Sequence, residues 1–89
     1  MTTSLKHNNF INESMKDKVI TVLPGIGEVL GKRLTDEGFE YTETILGQYL
    51  TLKGHKGYFQ DWMKEICSAN CKQSSDCYEA LHAWREANL

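Results

Sequence analysis

One stretch constrains this chain more than any other: Leu23-Pro24-Gly25-Ile26-Gly27-Glu28-Val29-Leu30-Gly31-Lys32-Arg33-Leu34. It contains the only proline and three of the seven glycines. Leu23, Ile26, Leu30 and Leu34 recur at steps of three, four and four, the period of one helix face. Gly25 and Gly27 bracket Ile26, so a tight turn opens straight into that helix. A turn feeding a helix N-terminus leaves several backbone N–H groups unpaired and aimed one way, which favours an anion. Lys32 and Arg33 follow within two helical turns. Backbone donors with cations nearby suit phosphate.

At 89 residues the chain has room for one domain, spanning 1–89, with a modest core drawn from 40% hydrophobic residues. A core of that size is marginal alone, which points to a second copy or a partner. No apolar run approaches the roughly 20 residues that span a bilayer. Met1 to Lys6 lacks the apolar stretch of a signal peptide, so an intracellular protein is expected. Three cysteines, an odd number, agree with a reducing compartment. The net charge of −2 is unevenly spread. Met1 to Arg33 carries five cations and three acids, while the remainder carries five cations and nine acids. A mildly basic end on an acidic molecule can hold an anionic polymer there and keep the rest clear of it.

The periodicity predicts an all-α fold, a compact bundle of about five short helices. Ser4 is a candidate cap for a first helix that turns Phe10 and Ile11 inward, and Asn12 to Lys18 reads as a loop. Val19 to Leu23 is expected as a short helix, because no second strand-like run exists to pair with it. The helix after the glycine turn should end at Glu37, with Gly38 beyond it. Thr42 or Thr44 is expected to cap the next helix, whose apolar positions are Ile45, Leu46, Tyr49 and Leu50. Lys53 to Gly57 reads as a polar turn, followed by the stripe Tyr58, Phe59, Trp62, Met63 and Ile66, read first as core. Asn70 and Gln73 form a capping-box pattern for a last helix that buries Cys77, Leu81 and Trp84.

Around 20–37 the pattern is that of a helix-hairpin-helix (SAM-like) element: an apolar residue, Pro-Gly-Ile-Gly, three variable positions, a small residue, then an apolar one. Gly31 fills the small position and lets the paired helices approach. Such units hold the sugar-phosphate backbone through the turn amides, so contact with duplex should be independent of sequence. One such site neutralises about 2–4 phosphates and binds gently, so useful affinity needs two sites joined in a dimer. Gly25→Glu is then expected to abolish duplex binding and leave the helices intact.

The whole chain resembles the barrier-to-autointegration factor family. The resemblance is carried by Met1-Thr2-Thr3-Ser4 with Lys6-His7, by Gly25 to Lys32, by Leu46-Gly47-Gln48 with Leu50, by Trp62, by Ala69-Asn70 with Lys72-Gln73-Ser74, and by Asp76-Cys77 with Trp84. It implies a homodimer with one DNA site on each of two opposite sides, able to bridge two duplexes in chromatin. It further implies binding to LEM-domain proteins of the inner nuclear membrane, to lamins and to histones, in the nucleus and nuclear envelope and also in the cytoplasm. Carried over by position, the DNA contacts would be Lys6, Gly25, Ile26, Gly27, Val29, Lys32 and Arg33, with Cys71 and Lys72 forming a second anion site at the last helix. Gly47, Leu50, Thr51, Lys53 and Trp62 would serve the dimer contact and the LEM-binding groove. Thr2, Thr3 and Ser4 would be kinase targets, since phosphate beside Lys6 repels the DNA backbone. Four positions depart from the family pattern: Ser75 for an arginine, Ser14 for a proline, Thr51 for an apolar residue and Glu43 for a tyrosine.

Cys67, Cys71, Cys77 and His82 lack the paired spacing of a zinc site, and His7, His55 and His82 have no visible nucleophile beside them. Asp36, Glu37 and Glu40 read as an exposed acidic face, so no metal, cofactor or enzymatic activity is expected. The competing reading is a protein-interaction paralogue of the same fold that has lost DNA binding and acts by heterodimerisation. A redox protein using the cysteines ranks below both.

Overall fold

The computed structural model describes residues 5–12 and 18–89. Among the described residues five α-helices, α1 (Leu5–Ile11), α2 (Glu28–Asp36), α3 (Thr42–Thr51), α4 (Lys56–Cys67) and α5 (Cys71–Asn88), enclose one core, with a 3-10 turn at Ile20–Val22 before α2. The leucine stripe of the glycine stretch lies at its centre: Leu23, Ile26, Leu30 and Leu34 are all buried. Tyr49, Phe59, Met63, Cys77, Leu81 and Trp84 close around them from α3, α4 and α5. Each fully buried aliphatic or aromatic side chain contributes about 1.5–3 kcal/mol over its exposed state.

The ends of the helices follow local chemistry. Beyond Glu37, Gly38 takes φ +94° and the Phe39 amide returns to the Leu34 carbonyl at 2.8 Å, which stops α2. On α5, the Asn70 side chain accepts from the Gln73 amide and the Gln73 side chain accepts from the Asn70 amide, each at 2.8 Å, the expected capping box. Other ends differ from expectation. Neither Thr42 nor Thr44 caps α3: Tyr41 holds that position, Thr42 is buried in the first turn, and the Thr44 hydroxyl donates back to the Tyr41 carbonyl. α4 begins two residues before its apolar stripe, because His55 Nδ1 accepts from the Tyr58 amide at 3.2 Å. That start rotates Tyr58 outward, where it stacks on His55 instead of joining the core. Only the middle of Val19 to Leu23 is helical, and Val19 forms an isolated antiparallel bridge with Tyr41, a pairing that lone strand periodicity does not reveal.

Three contacts tie α3, the turn after it and the start of α4 to α5. The Tyr78 hydroxyl donates to the Gly54 carbonyl at 2.6 Å, Lys56 pairs with Glu79 at 3.0 Å, and the buried Tyr49 hydroxyl meets His82 Nδ1 at 2.9 Å. Burial raises the Tyr78 phenol above its ordinary range, with Tyr49 and Glu79 adding to the effect.

Candidate nucleic-acid interface

The glycine turn is held from below by Ile26, whose side chain is 1% exposed, and by a bond from the Ile26 amide to the Leu23 carbonyl at 3.1 Å. Ile26 therefore shapes the turn without a free donor of its own, its amide being bonded to Leu23 and its carbonyl to Lys6. Gly27 caps α2 in an extended conformation with no side chain to satisfy the first amides. Among the described residues the amides of Gly27, Glu28 and Val29 donate to no acceptor, and Val29 stands 63% exposed beside them. These amides carry the positive end of the α2 dipole.

Two glycines make this arrangement possible. A Cβ on Gly31 would stand 2.9 Å from Thr21 Cγ2, so its absence lets α2 lie against the preceding turn, as its small position in the motif requires. Gly25 has φ +85° and faces α5: a Cβ there would collide with the Gln73 carbonyl oxygen and stand 3.2 Å from Asp76 Cβ. The expectation for Gly25→Glu needs correction here. Its side chain would enter the joint between the hairpin and α5 instead of projecting at a phosphate. Gly27, with nothing within 4 Å of its Cβ direction, is the glycine that faces outward.

The Gly25 contact brings the first turn of α5 beside the hairpin, so the N-termini of α2 and α5 share one region of the surface. Cys71 and Lys72 are exposed there. Lys6 comes from α1, and its Nζ donates to the Ile26 carbonyl at 3.1 Å, which places an ammonium against the turn. The other cations are engaged: Lys32 with Asp36 at 3.4 Å, Lys72 with Asp76 at 3.1 Å, and Arg33 Nη1 with the Cys67 carbonyl at 3.2 Å. Arg33 thus reaches the end of α4, although it lies on the exposed side of α2. Exposed pairs such as Lys32–Asp36 contribute only about 0.2–1 kcal/mol and yield readily to a competing anion.

Sequence reasoning passed over three groups. Gln60 Nε2 reaches the Cys71 carbonyl at 3.3 Å and Ser74 Oγ at 3.2 Å, fixing the first turn of α5 against α4. Asp76 flanks Gly25 and holds Lys72. The Cys67 carbonyl anchors Arg33. Apart from the i,i+4 pair of Lys72 with Asp76, these are contacts between segments apart in the chain, and no local pattern announces them.

The residues assigned to protein contacts lie elsewhere. Gly47, Leu50 and Thr51 are exposed on α3, the Thr51 hydroxyl donating to the Gly47 carbonyl at 2.8 Å, and Lys53 follows with φ +59°. Trp62 sits half-buried on α4, edge-on to Phe39 with ring centroids 5.1 Å apart. Thr2, Thr3 and Ser4, and likewise Ser14, lie outside the described residues. Cys67 and Cys77 are buried and Cys71 is exposed.

A family model described as Barrier to autointegration factor matches residues 1–88. The barrier-to-autointegration factor of Drosophila melanogaster is 56% identical over 87 residues, covering 98% of this chain and 97% of that protein. The Homo sapiens protein of that name is 48% identical over 89 residues, covering all of both chains. Barrier-to-autointegration factor A of Xenopus laevis is 49% identical over 88 residues, covering 99% of this chain and 98% of its own.

Proposed function

The chain belongs to the barrier-to-autointegration factor family, and on that premise we propose that it is a non-enzymatic protein that binds double-stranded DNA without reading its sequence and bridges duplexes as a homodimer. The observation that carries this reading is the cluster of unpaired amides at Gly27, Glu28 and Val29, set beside the first turn of α5 and the Lys6 ammonium. A backbone phosphate docking there receives main-chain hydrogen bonds at the positive end of α2. Lys6 adds charge from below, while Cys71 and Lys72 offer a second set of donors from α5. Lys32 and Arg33 turn toward the strand by exchanging their present partners. None of these groups reads a base edge, so the grip positions the protein without choosing a sequence.

One site neutralises few phosphates, and a two-fold dimer repeats it on another side of the assembly, which converts weak contacts into a bridge. The exposed face of α3 around Gly47, Leu50, Thr51 and Lys53, together with Trp62 on α4, supplies the surface for the dimer and for LEM-domain proteins. Lamins and histones complete the set of partners, in chromatin, at the nuclear envelope and in the cytoplasm. Phosphate on Thr2, Thr3 or Ser4 would sit close in sequence to Lys6 and repel the duplex.

Sedimentation of the protein alone and with a short blunt duplex tests the proposal. A dimer that carries two duplexes supports it, and a chain that sediments with no DNA at low salt overturns it. The rival, a paralogue that has lost DNA binding, draws support from the engagement of Lys32, Lys72 and Arg33 within the chain and from Ser75. It predicts no duplex binding at either of two salt concentrations.

A further inference from the structure

Asp76 borders the proposed DNA interface although its charge opposes a phosphate there. Its Cβ lies 3.2 Å from where a Gly25 Cβ would stand, so it flanks the joint between the hairpin and α5. Its Oδ2 holds the Lys72 Nζ at 3.1 Å, one turn nearer the start of α5. The Lys72 side chain is 83% exposed and that of Asp76 44%, so the carboxylate is the better anchored of the two. Helix stability does not account for this pair. A lysine in the first turn stands at the positive end of the helix dipole, and the favourable order of an i,i+4 pair sets the acid first. α5 reverses both: Lys72 is its second residue, Asp76 its sixth, and no acid occupies its first turn. A cation set against the dipole is explained by an anion that arrives from outside. Lys32 and Asp36 pair in the same order on α2, but Asp36 ends that helix, about 12 Å along its axis from Glu28.

We propose that Asp76 is a positioning residue that restrains DNA binding: it holds Lys72 beside the hairpin and cancels its charge until a phosphate displaces it. This rests on the DNA reading above and adds what limits the strength of each site. A phosphate that engages Lys72 must displace a carboxylate instead of a counterion, so the lysine adds little to affinity or to salt dependence. The displaced carboxylate, fixed beside Gly25, then repels the phosphate that replaced it. Each site stays weak, and firm attachment depends on two sites acting together.

Titrations of a short duplex at several salt concentrations test this on the full chain, for wild type, Asp76→Asn, Glu86→Gln and the double variant Asp76→Asn with Lys72→Met. Asp76→Asn keeps the shape of the side chain and frees the ammonium. It should bind about fivefold more tightly at low salt, with the slope of log K against log salt steeper by about 1. Glu86→Gln makes the same change of charge about 15 Å further along α5 and should stay within about twofold of wild type. The double variant leaves the site neutral again and should return to the wild-type slope and to within about twofold of its affinity. Equal or weaker binding by Asp76→Asn overturns the proposal, as does an equal gain in Glu86→Gln, which would trace the effect to net charge. A gain that survives in the double variant does not act through Lys72 and overturns it too. Loss of helical signal in Asp76→Asn would make the carboxylate a support of the joint, against the proposal. A wild-type chain that binds no duplex at low salt removes the DNA reading itself.

Discussion

Gly25 presents its bare Cα to the main-chain carbonyl of Gln73, so that the hairpin and the first turn of α5 meet where no side chain fits. That joint sets the N-terminus of α2 beside that of α5. It also separates two glycines that look equivalent in sequence, one serving the fold and the other facing solvent.

Gly27→Glu is therefore the clean probe of the interface. It should abolish duplex shift in a mobility assay with the thermal transition moved little, since open space receives the carboxylate. Gly25→Ala should instead cost about 2 kcal/mol or more in denaturant unfolding, from its positive φ and the collision with Gln73. Equal DNA binding by Gly27→Glu and wild type would remove the hairpin from the contact.

Lys6 holds the Ile26 carbonyl as well as adding charge. Lys6→Met should weaken duplex binding about tenfold at low salt and lower the slope of log K against log salt by about 1. Faster amide exchange at Ile26, whose N–H is bonded to the Leu23 carbonyl, is also expected in the free protein, because the contact that holds the turn is gone. An unchanged slope would mean that the ammonium braces the turn without meeting a phosphate.

Asn70 closes a reciprocal cap that leaves the Cys71 and Lys72 amides facing outward. Asn70→Ala should reduce stability by about 1 kcal/mol. DNA affinity should fall with it if the α5 terminus is a second anion site. Denaturant unfolding and a binding titration on the same variant separate the two effects.

Burial raises the Cys77 thiol far above the ordinary value of 9.0 and pushes Cys67 the same way, the latter opposed by the Ala69 amide and Arg33. The folded state keeps protons that unfolded thiols release, so stability should fall as pH rises above about 9 and be unaffected by these groups below about 8. A thiol reagent should modify Cys71 alone in the native protein and all three cysteines after denaturation. Rapid native reaction of all three would contradict the buried placement.

Much of the fold is legible in the chain because its causes are local. The leucine spacing after the glycine turn, the Asn70–Gln73 cap and the stop at Gly38 each depend on residues within one or two turns. The α3 cap and the exposure of Tyr58 were misread for the same reason. Thr42 is taken into the core by packing, and His55, an uncommon cap, starts α4 early enough to turn Tyr58 outward.

Sequence by itself determined the all-α class and the glycine turn that opens into α2, since periodicity and turn chemistry act over a few positions, while the candidate DNA residues were carried over from the family resemblance. Tertiary structure decided which glycine faces solvent, where the Lys6 ammonium rests, and that Arg33 is held by the Cys67 carbonyl. Those choices depend on side chains reaching across 20 or 34 residues of chain, as Lys6 does to Ile26 and Arg33 to Cys67. Only the packing of the helices brings such groups within reach.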